Sequence, residues 1–248
     1  VTIDYRVYMI AEKLRTAKSV VVLTGAGVSS ESGIRTFRDT MEGLWKEFDP
    51  AKLATPEAFE SDPELVTRWY DARRLGCLAA EPNPGHLALA AIENAVTSRG
   101  GNFTLFTQNV DRLHQRAGSK FVVEVHGSIM DWRCLETGEL FEPGPEPFSE
   151  FPPKSPFAST SILRPNVVWF GEALPEAALM LAFDLLPKCD LFFSIGTSSQ
   201  VYPAAGFVDI AAENEAFTVE INKDTTPASD RVNVSIQGSS SEILPRLL

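Results

Sequence analysis

Cysteine and histidine are scarce in this chain, with three of each among 248 residues. Cys77, Cys134 and Cys189 are too few and too widely spaced for the disulfide framework of a secreted domain. Reduced thiols in an intracellular compartment are expected, the cytosol first, with nucleus or mitochondrion as alternatives. Long apolar runs are also missing. No stretch is long enough to span a bilayer and no signal-peptide core is seen at the start, so no membrane partner is expected. Basic residues number 22 against 33 acidic ones, a net charge of -11, which argues against a nucleic-acid backbone as partner. That balance is compatible with Lys-rich peptides, although most acidic enzymes bind nothing basic. The G-x-G-x-x-G fingerprint of dehydrogenases fails as well, because the run from Gly25 meets Ser30 where the third glycine belongs.

What remains is the composition of an ordinary globule, 44% hydrophobic and 22% charged, long enough to bury a sizeable core. The chain is organised around Ser19 to Asp39. The apolar, β-branched run Val20–Leu23 reads as a buried strand of a parallel sheet, stopped at once by Gly25 and Gly27. Gly25, Ala26 and Gly27 leave N–H groups clear, and Ser29 and Ser30 can donate, a pattern that suits a diphosphate. An ordinary glycine-rich turn between strand and helix would look much the same.

Further strands read as Asn102–Gln108, Phe121–Val125, Cys189–Gly196, Ala216–Asn222 and Ser235–Gly238, with amphipathic helices between them. Repeated strand, polar turn and helix indicate an α/β fold, a doubly wound, parallel, Rossmann-like sheet. Its strands deliver Gln108, Asn109 and Asp111 to one edge. Asp111 could equally cap the helix after it. His126 ends the third strand beside those polar groups, a better place for a general base than a lone histidine usually occupies. His86 reads as a capping residue, and His114 as a weaker candidate. The helix opening at Asp62-Pro63 puts Leu65, Trp69 and Ala72 on an apolar face, with Tyr70 and Arg73 as surface neighbours. Spacing alone makes that pair a solvated arginine beside a half-buried tyrosine. From Asp131 to Ser161 the chain is rich in Pro, Gly, Ser and Glu, and reads as a loop-built insertion. Expected domains are residues 1–130 and 162–248 for the sheet, and 131–161 for a small inserted module to which the 40–90 segment contributes.

Gly25-Ala-Gly-Val-Ser29, Thr107-Gln-Asn-Val-Asp111, Val125-His-Gly127, Val167-Val-Trp-Phe-Gly-Glu172 and Gly196-Thr-Ser198, in that order, resemble the sirtuin family of NAD-dependent protein-lysine deacylases. The resemblance runs from Val20 to the C-terminus. It implies NAD as a consumed co-substrate, held by Gly25, Ala26, Gly27, Ser29, Glu31, Thr36, Phe37, Arg38, Gln108, Asn109, Asp111, Gly196, Thr197, Ser198, Asn222 and Ser240. It also implies His126 as base, Asn109 positioning water and ribose, and Asp111 binding the nicotinamide carboxamide. The acyl-lysine oxygen would attack C1′ of the nicotinamide ribose, giving nicotinamide, free lysine and 2′-O-acyl-ADP-ribose. Val167, Trp169, Phe170, Gly171 and Glu172 would form one side of a β-clamp for the acyl-lysine peptide, with Val201 and Tyr202 on the other. A core strand would satisfy the same Val and Phe residues.

Tyr70-x-x-Arg73, with Arg35-Thr36 where most of the family carries Pro-Asp, resembles the class that removes succinyl, malonyl and glutaryl groups. A phenol and a guanidinium can together hold the acyl carboxylate. Structural zinc, which family members hold with two Cys-x-x-Cys pairs, is expected to be absent. Only Cys134 is kept, Thr137 stands three residues on, and 154–161 holds neither cysteine nor histidine. Phe141, Phe148, Phe151 and Phe157 are expected to pack the module instead. A monomer is expected. An ADP-ribosyltransferase, or a non-catalytic NAD or ADP-ribose binding module, are the alternatives.

Overall fold

The computed structural model describes residues 2–35 and 49–248. Strands β1 (Ser19–Thr24), β2 (Asn102–Thr107) and β3 (Val122–Glu124) lie in one sheet. Three later strands complete it, Leu191–Ile195, Phe217–Asn222 and Val234–Gln237, numbered β7 to β9 in chain order. The six are parallel and ordered β3-β2-β1-β7-β8-β9. Strand order reverses between β1 and β7, so a ligand crevice is expected beyond the carboxyl ends of those two strands. The sequence-based reading of a doubly wound sheet holds.

The helices, in chain order, are α1 (Ile3–Thr16), α2 (Ala26–Ser29), α3 (Pro50–Leu53), α4 (Pro56–Ser61), α5 (Pro63–Ala79), α6 (Pro84–Ser98), α7 (Leu113–Arg116), α8 (Glu176–Leu185), α9 (Phe207–Glu213) and α10 (Ser240–Ile243). The run Val20–Leu23 feeds two cores, because alternate strand residues face opposite sides. Val20 and Val22 pack with Val7 and Ile10 of α1 and with Leu89 and Ile92 of α6. Val21 and Leu23 pack with Ala182 of α8 and with Phe207 and Ala211 of α9. Each such side chain buried contributes roughly 1.5–3 kcal/mol, which fixes β1 at the centre of the sheet.

A second, antiparallel sheet holds β4 (Gly127–Cys134), β5 (Leu140–Phe141) and β6 (Leu163–Val167), ordered β5-β4-β6. Two expectations are corrected here. The stretch from Asp131 is not wholly loop, since β4 runs on to Cys134 and β5 follows. Residues 164–167 do not return to the parallel sheet but pair with β4. Pro165 explains the placement: with no N–H to give to a ladder, it is tolerated on an edge strand, and β6 is one.

A third core lies between α5 and this small sheet, joining Trp69 and Tyr70 to Ile129, Trp132, Leu163 and Trp169. Within it the Phe148 ring meets Trp132 at 4.8 Å, Phe151 at 6.4 Å and Phe141 at 6.5 Å. Phe157 does not join them and is 40% exposed. Phe148 is the ring common to all three contacts, and beside it Trp132, which composition gave no reason to single out, is fully buried. Asp62 caps α5 as expected, accepting the Leu65 N–H at 2.9 Å. The buried face of that helix is the expected one only in part: Trp69 is buried and Leu65 partly so, but Ala72 is exposed, and Val66, Tyr70, Asp71, Arg74 and Cys77 are buried with Trp69.

Candidate active site

The turn after β1 and the turn after β7 are pressed together. Gly25 N–H donates to the Ile195 carbonyl (3.0 Å) and Gly27 N–H to the Gly196 carbonyl (2.8 Å). A Cβ on Gly25 would stand 2.7 Å from the Gly196 oxygen, and one on Gly27 2.8 Å from it. These glycines are there so that two backbones can meet. The expectation that their N–H groups stay clear for a diphosphate is therefore corrected for Gly25 and Gly27. Ala26 opens α2 between them.

Gln108 crosses the mouth of this crevice, its side-chain amide donating to Thr197 Oγ1 at 2.9 Å. Asn222, last residue of β8, donates to the Thr197 carbonyl at 3.3 Å. Gly196, Thr197, Ser198 and Asn222 thus stand at one strand-end rim with Gly25, Ala26 and Gly27. Glu31 faces the same rim from beyond α2, with Lys223 Nζ at 3.3 Å. Hydrogen bonds from Ser241 hold its carboxyl below the usual range against the cost of burial, helped by Ser239 and Lys223. Ser240, in the first turn of α10, is buried with an unpartnered Oγ. A buried hydroxyl without a partner is costly unless a ligand satisfies it. A carboxylate, amides and hydroxyls around a strand-end crevice fit the donors and acceptors of a dinucleotide. Thr36, Phe37 and Arg38 lie outside the described residues.

Ser29 ties the first turn to the Thr107–Asp111 segment. Its hydroxyl donates to Asp111 Oδ2 at 2.7 Å and accepts from Asn109 Nδ2 at 3.1 Å. It is therefore engaged inside the protein rather than open toward a phosphate. Asp111 does meet the helix after it, its Oδ1 accepting the Leu113 N–H at the start of α7, 2.9 Å away. Burial raises its pKa.

Behind Ser29 stand two buried histidines that the sequence presented as minor. The His86 Nδ1 accepts the Asn83 N–H at 3.2 Å in a capping box, so Nε2 carries the proton and meets Ser29 Oγ at 3.3 Å. The His114 ring packs edge-on against it, 4.9 Å between centroids, with Nε2 2.9 Å from Thr24 Oγ1. Neither environment was legible from spacing, because the two rings come from α6 and α7. Burial lowers the His86 pKa to about 4 and that of His114 well below its ordinary 6.5. Unfolded, both bind a proton near pH 6.5; folded, neither does until far lower. Stability from these rings is thus complete above pH 6.5 and is lost as pH falls toward 4. The expected loss is about 1.4 kcal/mol per pH unit per histidine, to be read from urea midpoints at pH 7, 6 and 5.

His126 sits where the chain passes from the parallel sheet to the antiparallel one. Its Nδ1 lies 3.1 Å from the Gln108 carbonyl oxygen, which can only accept. In the neutral ring Nδ1 therefore holds the proton, leaving the Nε2 lone pair available. Burial lowers the pKa, with the Gln108 carbonyl working the other way, so the neutral form dominates at neutral pH. Gly127 follows in the left-handed region at φ 74°, and a Cβ there would lie 2.1 Å from the Asn166 oxygen. The His126 carbonyl accepts the Val168 N–H at 2.9 Å.

Next to that junction, Trp169 Nε1 donates to the Tyr70 hydroxyl at 3.1 Å. The Arg73 guanidinium lies over the Trp69 ring at 4.7 Å. Burial pushes the Tyr70 phenol up to about 12, with Arg73 acting in the opposite sense. The phenol stays neutral, accepts from Trp169 and keeps its own proton to donate. Val167 and Trp169 are buried in the third core, while Phe170 is half exposed and Gly171 turns the chain behind it. Glu172 is committed inside the protein: it pairs with Arg164 at 2.6 Å and accepts the Trp169 N–H at 2.8 Å. Val201 and Tyr202 are exposed on the segment after β7.

The Sir2 family model matches residues 25–203. The NAD-dependent protein deacylase 1 of Pseudomonas aeruginosa is 45% identical over 246 residues, covering 96% of each chain. A Sir2 homologue solved as an NAD complex superposes with a TM-score of 0.87 at 40% identity, over 97% of this chain and 91% of that one. A mutant Sir2 homologue in complex with 2′-O-acetyl-ADP-ribose gives 0.86 at 40% identity, over 96% and 94%. With its motifs on one strand-end rim and its relatives matched along almost their whole length, the chain belongs to the Sir2 family.

Proposed function

We propose that this protein is an NAD-dependent protein-lysine deacylase that prefers acyl groups ending in a carboxylate. The observation that carries the reading is the imidazole of His126, held in one tautomer by Gln108 beside the Asn109–Ser29–Asp111 set. Bound NAD supplies an activated ribose carbon, with nicotinamide as leaving group and ADP-ribose as acyl acceptor. The protein's own residues do the rest. The paired turns at Gly27 and Gly196, with Asn222 and Ser240, hold the nucleotide. Asp111 orients the carboxamide, and Asn109 orients ribose and water. Nε2 of His126 takes the proton from the ribose hydroxyl, which raises that oxygen's nucleophilicity at the moment it is needed. Products are nicotinamide, free lysine and 2′-O-acyl-ADP-ribose.

The acyl preference follows from Tyr70 and Arg73. A neutral phenol with a proton to give, beside a half-buried guanidinium, matches the far carboxylate of a succinyl, malonyl or glutaryl chain. The exposed side chains of Phe170 and Tyr202 stand on the two segments between which the peptide is proposed to add as a strand. Structural zinc forms no part of the proposed protein. The module's single thiol, Cys134, is buried and its Sγ donates to Ser161 Oγ at 3.4 Å. Among the described residues no group of three or more metal-binding side chains gathers anywhere.

Nicotinamide release from NAD is the test. Release is expected only when an acyl-lysine peptide is present, faster with succinyl than with acetyl, and matched by one free lysine per turnover. Stable transfer of label from adenylate-labelled NAD to protein would replace this reading with ADP-ribosyl transfer. No peptide-dependent release at all would leave a binding module.

A further inference from the structure

The small sheet has an edge strand, β5, of only two residues, and it is held chiefly by its packing on α5. In this chain the metal that would pin such a module is not served: closed zinc sites need four ligands, and Cys134 is met by hydroxyls of Ser161, Ser155 and Thr137 instead. Something else must bind the segment from Glu142 to Glu150, which carries no regular structure.

That segment ends on two buried side chains of α5. Arg74 is 1% exposed and Asp71 2%. The Arg74 Nε donates to Asp71 Oδ1 at 2.9 Å, Nη1 to the Gly144 carbonyl at 2.6 Å, and Nη2 to the Glu146 carbonyl at 2.7 Å. Asp71 Oδ2 accepts the Phe148 N–H at 3.1 Å. The guanidinium also covers the Phe148 ring at 5.4 Å, and that ring stacks edge-on against Trp132 of β4. One ion pair thus satisfies three backbone groups of a structureless segment and is itself satisfied, which is the condition under which a buried pair is tolerated. A planar fork can do this; an ammonium cannot.

We propose that the Asp71–Arg74 pair is a metal-free lock that fastens the small module to α5, and that it thereby positions Tyr70 and Arg73 for acyl recognition. Each lock residue follows an acyl-recognition residue in the chain, so one helical turn presents the lock on one face and the acyl pair about 100° round from it. Loosening the lock lets that turn shift against Trp169, the hydrogen-bond donor to Tyr70. Asp71 and Arg74 are positioning residues and touch no substrate. The second half of the proposal rests on the acyl preference stated above.

The test uses the purified full chain. Metal analysis is expected to find no stoichiometric zinc, and a strong zinc chelator to leave both melting temperature and desuccinylation unchanged. In Arg74→Met, hydrogen exchange over residues 142–150 is expected to speed up. KM for a succinyl peptide rises about tenfold, the weight of one charge-assisted contact, while KM for NAD and turnover of an acetyl peptide hold. Arg74→Lys, which keeps the charge and loses the fork, is read the same way if the methionine variant does not fold. One tightly bound zinc per chain whose removal melts the module would overturn the lock, as would unchanged exchange at 142–150 in the lysine variant. If the wild type showed no succinyl preference, the acyl reading would fall, and exchange with zinc content would still decide the lock.

Discussion

His126→Ala is expected to lower kcat for acyl-lysine removal by about 10²–10⁴-fold, the usual weight of a positioned general base, with peptide and NAD affinities nearly unchanged. The reasoning is geometric. Among the described residues the imidazole makes one hydrogen bond, from Nδ1 to the Gln108 carbonyl, and that bond fixes the ring without using Nε2. Removing the ring leaves the Gln108 backbone in its ladder, since Gln108 N–H still donates to the Thr24 carbonyl. The nucleotide rim therefore survives, and isothermal titration with NAD should read binding close to wild type. The pH profile carries a second expectation. The proposed base works as the neutral imidazole, and burial favours that form, so the active form is already the majority at pH 6.5 and activity climbs to its plateau above it. The acid limb of kcat/KM should fall below 6.5, the ordinary histidine value. A limb at or above 6.5 would mean that His126 does not do this work.

Arg73→Met is expected to reduce the succinyl-over-acetyl ratio of kcat/KM by about ten- to hundredfold, from roughly 1.5–3 kcal/mol for one charge-assisted contact. Methionine keeps an apolar stem of similar length but loses the guanidinium that lies over the Trp69 ring, so the acetyl peptide is the control for any change in packing. The loss should fall on KM for the succinyl peptide, because the carboxylate is far from the bond that breaks and binds alike in ground and transition states. Acetyl peptide has no carboxylate to lose and should be indifferent. Equal ratios in both proteins would remove Arg73 from acyl recognition. Tyr70→Phe is a harsher change than it looks, since it leaves the buried Trp169 N–H without its acceptor.

The sheet and the rim were legible because both are written in local pattern. Val20–Leu23 is apolar in an unbroken run, and polar groups follow the strands at Gly25, Gln108, His126, Gly196 and Asn222. A chain that repeats strand, turn and helix has few other ways to fold. The roles inside the rim were less legible. Gly25 and Gly27 read as clearing N–H groups, yet they serve close contact with Gly196, which lies 169 residues beyond Gly27. Ser29 read as a phosphate donor, yet it spends its proton on Asp111. Such pairings depend on which strands become neighbours, and no spacing encodes that. The small sheet was read least well. Pro-rich sequence hides short strands, and the buried Asp71–Arg74 pair looks, in one dimension, like ordinary surface charge on a helix.

Because the His126 carbonyl receives the Val168 N–H, the base and the segment expected to carry peptide share a backbone hydrogen bond across the turn at Gly127. Displacing that segment drags the imidazole with it. The placement of residue 126 and that of the 167–172 segment are therefore not independent: a substitution that moves one backbone is felt by the other through a single N–H···O contact.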